Sequence, residues 1–331
     1  MVQEFKILSI KEEQQLTKEE LKEYYKELRE YLLKRKLTNT TPGATTIAPK
    51  LKKITNKICE KTIKAFTSKD VEIICEGTEN IPEGPVIFAH SHQGILDNFV
   101  WIPQVKQHAL ILHSIDTNKL LLMCQMNTGM VFVKKGNKEN NKNAKLDMIK
   151  LLLSGTSITY FPESAWNLSP NKLHLPLSYG IIDTAKKASV PIIPIVHEYN
   201  YSTNNTKKKI TKIHSKYGYP IYVDEEDDLL EKLREYEEQL STMRYELIEE
   251  KGIFKRKDIT NLEYINFLKD NYKNLELGKI DVNRERKYLF NSNDEFYKFH
   301  HINDIPFNEQ GELLETEEVI KLKTLNKKHN I

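Results

Sequence analysis

Within the stretch Ala89-His90-Ser91-His92-Gln93-Gly94-Ile95-Leu96-Asp97-Asn98, an imidazole and a carboxylate stand five positions apart across a glycine. On a continuous helix five residues turn the chain by about 500°, which leaves their side chains far apart in angle. His92 and Asp97 meet only if His92 lies in a turn and Asp97 in the first helical turn after it. Gly94 gives the backbone the freedom for that bend. An imidazole with one nitrogen held by a carboxylate has a fixed tautomer and serves as a general base. Gly94 and Ile95, at the start of the same helix, are candidate backbone N–H donors to an oxyanion. His90 raises another chemistry, because His90, His92 and Asp97 would begin a binuclear metal site. No Asp-His pair follows, and His108, His113, His174, His197 and His214 show no ligand-like clustering, so no metal is expected. His197, just past an apolar run, is a candidate to border the pocket.

These groups need a scaffold, and the chain is long enough to supply one. Its 331 residues are 39% hydrophobic and 29% charged, a composition that folds rather than stays disordered. A net charge of +3, with no aromatic-basic signature, argues against a nucleic-acid partner. Cys59, Cys75 and Cys124 are scattered and odd in number, as expected of reduced thiols in a cytoplasmic protein. The first residues are charged from Glu4 onward and have no apolar signal-peptide core. No run approaches the ~20 apolar residues of a membrane-spanning helix. A lipid substrate would therefore be met at the membrane surface.

Thr17-Lys18-Glu19-Glu20 is a capping box that opens a helix to about Lys36, with Leu21, Tyr24, Tyr25, Leu28, Tyr31 and Leu32 on one face. After a loop from Asn39, Pro49 starts a second helix through Phe66, with Leu51, Ile54 and Ile58 as its apolar stripe. Its lysines, Lys50, Lys52, Lys53, Lys57, Lys61 and Lys64, fit either an interfacial helix on anionic lipid or a packing helix with a solvated face. From Val71 to Val223 the pattern becomes short apolar runs between helical segments. Strands are predicted at Val71–Cys75, Pro85–Ala89, Ala109–Ile115, Met130–Val133, Ile158–Phe161 and Ile192–Val196, with further pieces at Lys209–Ile213 and Ile221–Val223. Helices are predicted at Leu96–Pro103, Asn118–Met126, Asn143–Leu153 and Tyr179–Ala188. The expected fold is α/β, a mixed and largely parallel sheet flanked by helices, between an N-terminal helical segment and a C-terminal helical extension. Ligands then bind beyond the carboxyl ends of the strands. The turns at His92, at Lys134–Lys135 and at Glu163 all follow strands directly and would share one mouth. Beyond Asp224, the acidic run Glu225–Asp228 begins a helix to about Glu250, and Leu262–Leu277 has a helical pattern. The expected divisions are 1–68, a helical segment with possible membrane contact; 69–224, the α/β core; and 225–331, a helical extension and irregular tail.

Four segments, in this order, resemble the glycerophospholipid acyltransferases, which include lysophosphatidate and glycerol-3-phosphate acyltransferases. His92 and Asp97 match the family's His-x-x-x-x-Asp motif. Gly129-Met130-Val131-Phe132-Val133-Lys134-Lys135 approximates the second motif, Gly-x-Ile-Phe-Ile-Asp-Arg. Phe161-Pro162-Glu163-Ser164-Ala165-Trp166 approaches the third, Phe-Pro-Glu-Gly-Thr-Arg. Val190-Pro191-Ile192-Ile193-Pro194-Ile195 matches the Val-Pro-Ile-x-Pro-Val strand of the fourth. The resemblance covers roughly Val71 to Val223. Lys135 replaces an arginine and keeps the charge without the bidentate fork. Ser164, Ala165 and Trp166 replace Gly, Thr and Arg, which removes a cation from the third motif.

The resemblance implies that His92 deprotonates an acceptor hydroxyl for attack on the thioester of acyl-CoA or acyl carrier protein, with no separate cofactor. Asp97 would hold the other ring nitrogen. Lys134, Lys135, Glu163, Ser164 and Trp166 would bind the acceptor or its phosphate. The acceptor would be a lysophospholipid, glycerol phosphate, or a glycan or glycolipid, since the indole of Trp166 suits a sugar ring. The expected protein is a cytoplasmic, peripheral O-acyltransferase on the inner face of a membrane. Its competitors are a thioesterase-type hydrolase using the same base and an inactive acyl- or lipid-binding protein.

Overall fold

Seven strands form one sheet: β1 (Thr67–Glu76), β2 (Ile87–His90), β3 (Ala109–Ser114), β4 (Met130–Val133), β5 (Ser157–Tyr160), β6 (Ile192–Tyr201) and β7 (Ile210–Tyr217). The computed structural model describes residues 5–115, 129–134, 136–164, 166–167, 173–175, 177–201 and 210–251. Lys135, the helices predicted at Asn118–Met126 and Leu262–Leu277, and the tail from Asn291 lie outside the described residues. The strand order is β1-β7-β6-β2-β5-β3-β4, and every neighbouring pair is parallel except β6 with β7. The sheet is thus mixed and largely parallel, as the alternation of apolar runs and helical segments predicts.

Six α-helices accompany it: α1 (Ile10–Glu13), α2 (Lys18–Lys34), α3 (Lys52–Phe66), α4 (Lys138–Leu153), α5 (Gly180–Ala188) and α6 (Leu229–Lys251), counted among the described residues. The capping box at Thr17 forms as read, with its hydroxyl on the Glu20 amide and the Glu20 carboxylate on the Thr17 amide. Successive strand residues point to opposite faces. On one face Ile87, Ala89, Leu110 and Ile158 pack with Leu28 and Leu32 of α2, Ile149 of α4, Ile181 of α5 and Tyr236 of α6. On the other, Val86, Phe88, Ile111, Ile193 and Ile195 pack with Cys59 and Ile63 of α3 and with Phe99 and Trp101. Helices that precede the strands and one that follows them therefore share buried cores with the central sheet. Strands covered on both faces read as continuous apolar runs, which is why β2 and β4 were visible in sequence.

One expected helix is absent. Leu96–Pro103 forms two short 3-10 turns, Ile95–Asn98 and Ile102–Gln104, in place of an α-helix. Leu96, Phe99, Val100, Trp101 and Ile102 are all buried, so the segment hides a cluster of five apolar side chains instead of a single stripe. The predicted strand at Ile221–Val223 reduces to an isolated bridge between Ile221 and Ile192. Strand β6, by contrast, continues well past Val196.

The loop after α2 is fastened by Asp147 of α4, which is fully buried. Its Oδ2 accepts the Thr38 amide at 2.8 Å, the Asn39 amide at 2.7 Å and the Thr40 hydroxyl at 3.0 Å, while Arg35 pairs with Oδ1. Asp147→Ala strands four donors at once, one of them a guanidinium. We expect a loss of about 3 kcal/mol or more in unfolding free energy, measured by urea denaturation. A loss below about 1 kcal/mol would show that this clasp contributes little.

Candidate active site

Strands β2, β3, β4, β5 and β6 point the same way, so their carboxyl ends line one edge of the sheet. Chain leaving β2 makes the His92 turn at that edge, and chain leaving β5 makes the Glu163 turn beside it. The last β2 partner on β6 is Ile195, yet β6 continues paired with β7 to Tyr201. That overhang rises about 20 Å past the edge and walls the site on one side.

The His92–Asp97 pair forms. His92 Nδ1 lies 3.0 Å from Asp97 Oδ2; the imidazole is 14% exposed and the carboxylate is fully buried. Asp97 sits on the 3-10 turn that follows Gly94, as the spacing requires. Its Oδ2 also accepts the Gly94 N–H at 2.8 Å and the Gln93 N–H, and its Oδ1 accepts the hydroxyl proton of Tyr199. This corrects the expected oxyanion role of Gly94: its N–H is already given to the carboxylate that caps the turn. Ile95 opens that 3-10 turn.

Glu163 has a different task from the one expected. It is 1% exposed, and its Oε1 accepts the His92 N–H at 2.7 Å while Oε2 accepts the Leu175 N–H at 2.7 Å. Both oxygens are engaged by main chain, so the carboxylate braces the His92 turn and has no oxygen left free for an acceptor. Asn167 completes the brace, donating its N–H to the His92 carbonyl at 2.5 Å. Ser164, in the position of the family's glycine, adopts φ 54°, the left-handed region that favours glycine. Trp166 stands edge-on to His92 with ring centroids 6.1 Å apart, and Phe161 lies closer at 4.2 Å, tilted by 34°. The structure thus brings His92, Asp97, Glu163 and Trp166 together. Lys134 lies at the same sheet edge, but β5 and β3 intervene between its strand and β2, a separation of about 14 Å. Its side chain is exposed and its amide donates to Asn140 Oδ1 at 2.7 Å.

A row of polar side chains that the sequence reading largely missed runs across the buried face. His90 Nδ1 is 3.0 Å from His197 Nε2, and His197 Nδ1 is 2.8 Å from the Ser215 hydroxyl. Gln93 donates its side-chain amide to the His197 carbonyl. Burial holds His90 far below the usual imidazole range and lowers His197 to about 4, so both are neutral at pH 7. His113, on β3, is also lowered by burial. For Asp97, burial alone would raise the pKa, but the hydrogen bond and charge of His92, the neighbouring His197 and the Tyr199 hydroxyl outweigh it. The carboxylate stays ionised. Burial pushes the Glu163 carboxyl up, against the opposing charge of Arg244 and the amide of Leu175. Behind it, burial disfavours a charged His174, yet Glu237 at 3.3 Å and Glu163 together hold its pKa above the ordinary value. Among the described residues no group of three His, Cys, Asp or Glu side chains is arranged to hold a metal ion.

Of these, only the β6 overhang left a trace in sequence. His197, Tyr199 and Tyr201 alternate with Glu198 and Asn200, a period of two that continues the strand.

Comparison with known proteins falls on the same segment. Residues 72–198 match the family model described as Acyltransferase. The chain is 29% identical over 172 residues to a 1-acyl-sn-glycerol-3-phosphate acyltransferase of Borreliella burgdorferi, covering 51% of this chain and 66% of that relative. Among solved structures it is similar to the 1-acyl-sn-glycerophosphate (LPA) acyltransferase of Thermotoga maritima, with 20% identity, 62% of this chain and 82% of that chain covered, and a TM-score of 0.47. The residues matched by the Acyltransferase model, 72–198, hold all four motifs and the His92–Asp97 turn.

Proposed function

We propose that this protein transfers an acyl group from the thioester of acyl-CoA or acyl carrier protein to the hydroxyl of a lipid or glycan acceptor. The single observation that carries the reading is His92 Nδ1 fixed 3.0 Å from a fully buried carboxylate at the carboxyl edge of the sheet. With Nδ1–H given to Asp97, Nε2 is the nitrogen that takes a proton. It removes the acceptor's hydroxyl proton as that oxygen attacks the thioester carbonyl carbon. The tetrahedral intermediate then collapses, the C–S bond breaks, and the imidazolium returns the proton to the departing sulfur. An ester and a free thiol result. Asp97 stabilises the imidazolium throughout without taking its proton.

The experiment is product analysis with labelled acyl-CoA and acyl carrier protein against lysophosphatidate, glycerol phosphate, lysophospholipid, glycolipid and polysaccharide. Ester on an acceptor supports the transferase. Free acid in the presence of every acceptor makes the protein a hydrolase, and donor binding without turnover makes it a carrier.

Trp166 favours an acceptor with a ring or apolar face near the reacting hydroxyl, because the indole stands where the family's third motif has an arginine and faces His92. Trp166→Arg supplies a planar, charged fork, so use of phosphate-bearing acceptors relative to uncharged ones should rise about tenfold, the effect of one charged hydrogen bond. Competition assays with paired acceptors read this ratio, and an unchanged ratio removes Trp166 from acceptor selection.

Membrane contact is part of the proposal. Among the described residues no helix is long and apolar enough to cross a membrane. Helix α3 exposes Lys53, Ile54, Lys57, Lys61 and Lys64 beside the preceding Ile47 and Lys50, a basic face with apolar members suited to anionic lipid. Lys52 does not belong to that face: its ammonium sits 3.2 Å from the Gln107 carbonyl and 3.4 Å from that of Ile102.

A further inference from the structure

We propose that Tyr199 is a positioning residue for the general base, its hydroxyl fixing Asp97 so that one carboxylate oxygen is kept for the His92 turn. The inference rests on the acyl-transfer reading above and extends it to a residue outside the four motifs. Three contacts converge on Asp97 Oδ2: His92 Nδ1 at 3.0 Å, the Gly94 N–H at 2.8 Å and the Gln93 N–H. Oδ1 faces the other way, toward β6, and takes the Tyr199 hydroxyl. The phenol thereby stops the carboxylate from rotating about its Cβ–Cγ bond and presenting the wrong oxygen to His92.

The groups around Asp97 leave Tyr199 as the donor from the strand side. From its own turn Asp97 faces His92; from β6, His197 and Tyr199; from β2, His90, whose ring meets His197; and Glu163, after β5, holds the His92 amide. His113 on β3 acts on His92 electrostatically. His90 and His197 are neutral at pH 7 because burial opposes their charge, so neither balances the carboxylate there. A buried carboxylate oxygen stripped of its donor favours the protonated acid, and a protonated Asp97 holds the His92 N–H less firmly. Tyr199 is 5% exposed and packs in the core with Ile193, Ile195 and Ile213, so Tyr199→Phe keeps the ring and removes only the hydroxyl.

Three measurements on the full chain decide the matter. First, kcat of Tyr199→Phe should fall about 3- to 30-fold with KM unchanged, since the hydroxyl is buried against Asp97. Second, in an Asp97→Asn background, Tyr199→Phe should change the residual kcat less than twofold, because a residue that works through Asp97 has nothing left to act on. A merely structural residue would lower turnover equally in both backgrounds, and that outcome overturns the proposal. Third, carbon-13 NMR titration of the Asp97 carboxyl should show its midpoint moved to higher pH in Tyr199→Phe. An unmoved midpoint overturns the proposal whether or not turnover is detected. If wild-type protein transfers no acyl group but the midpoint moves, the reaction is wrong and the positioning role stands.

Discussion

His92→Ala is expected to reduce acyl transfer by about 10²- to 10⁴-fold while the protein stays folded. The loss follows from chemistry: an alcohol at neutral pH is a poor nucleophile until a base within hydrogen-bond reach takes its proton. That the fold survives follows from the local structure. The turn is held through main-chain atoms, the His92 N–H to Glu163 at 2.7 Å and the His92 carbonyl to the Asn167 N–H at 2.5 Å, and both remain when the ring is removed. The ring is partly exposed at 14% and lies against Phe161 and edge-on to Trp166, so the packing cost is a small cavity at the site mouth. Single-turnover acyl transfer, with circular dichroism as the folding check, reads both halves. Retained turnover in a folded His92→Ala protein would remove the base assignment. Added imidazole should restore part of the rate, as the vacated site opens to solvent.

Asp97→Asn should be nearly as damaging, about 10²- to 10⁴-fold in kcat, by a different route. The amide nitrogen can donate to His92 Nδ1 but cannot accept from it, which turns the imidazole into the tautomer whose Nε2 already carries a hydrogen. With the NH2 group in the place of Oδ2, the Gln93 and Gly94 N–H groups face a donor where an oxygen had accepted them. Steady-state kinetics should show the fall in kcat with little change in KM, since the residue is buried behind the base. A KM effect alone would mean that Asp97 shapes the pocket without orienting the base.

Much of this was legible because spacing and hydrophobicity encode it locally. The five-residue interval from His92 to Asp97 demanded a turn followed by a helical start, and that is where the two side chains meet. The β4 segment Met130–Val133, buried on both faces toward its start, was readable to the residue. What could not be read depends on contacts distant in sequence. The Gly94 N–H looked available as an oxyanion donor because nothing local says that Asp97 Oδ2 folds back onto it. Glu163 looked like a ligand for substrate because its partners, the amides of His92 and Leu175, carry no side-chain signature. The period of two extends β6 through Tyr199, but neither Tyr199 nor Ser215 of β7 carries a local sign of its partner, Asp97 or His197, which only the fold supplies.

The manner in which Glu163 grips its neighbours bears on how acceptor preference can diverge. Its two oxygens clasp peptide nitrogens, which every residue except proline supplies, so the attachment is indifferent to which side chains occupy the following positions. Downstream of Ser164, whose left-handed backbone favours glycine, side chains can therefore change without removing these main-chain anchors of the His92 turn. On the acyl-transfer reading proposed above, new alcohol preferences can arise there while the His92 turn keeps its main-chain anchors.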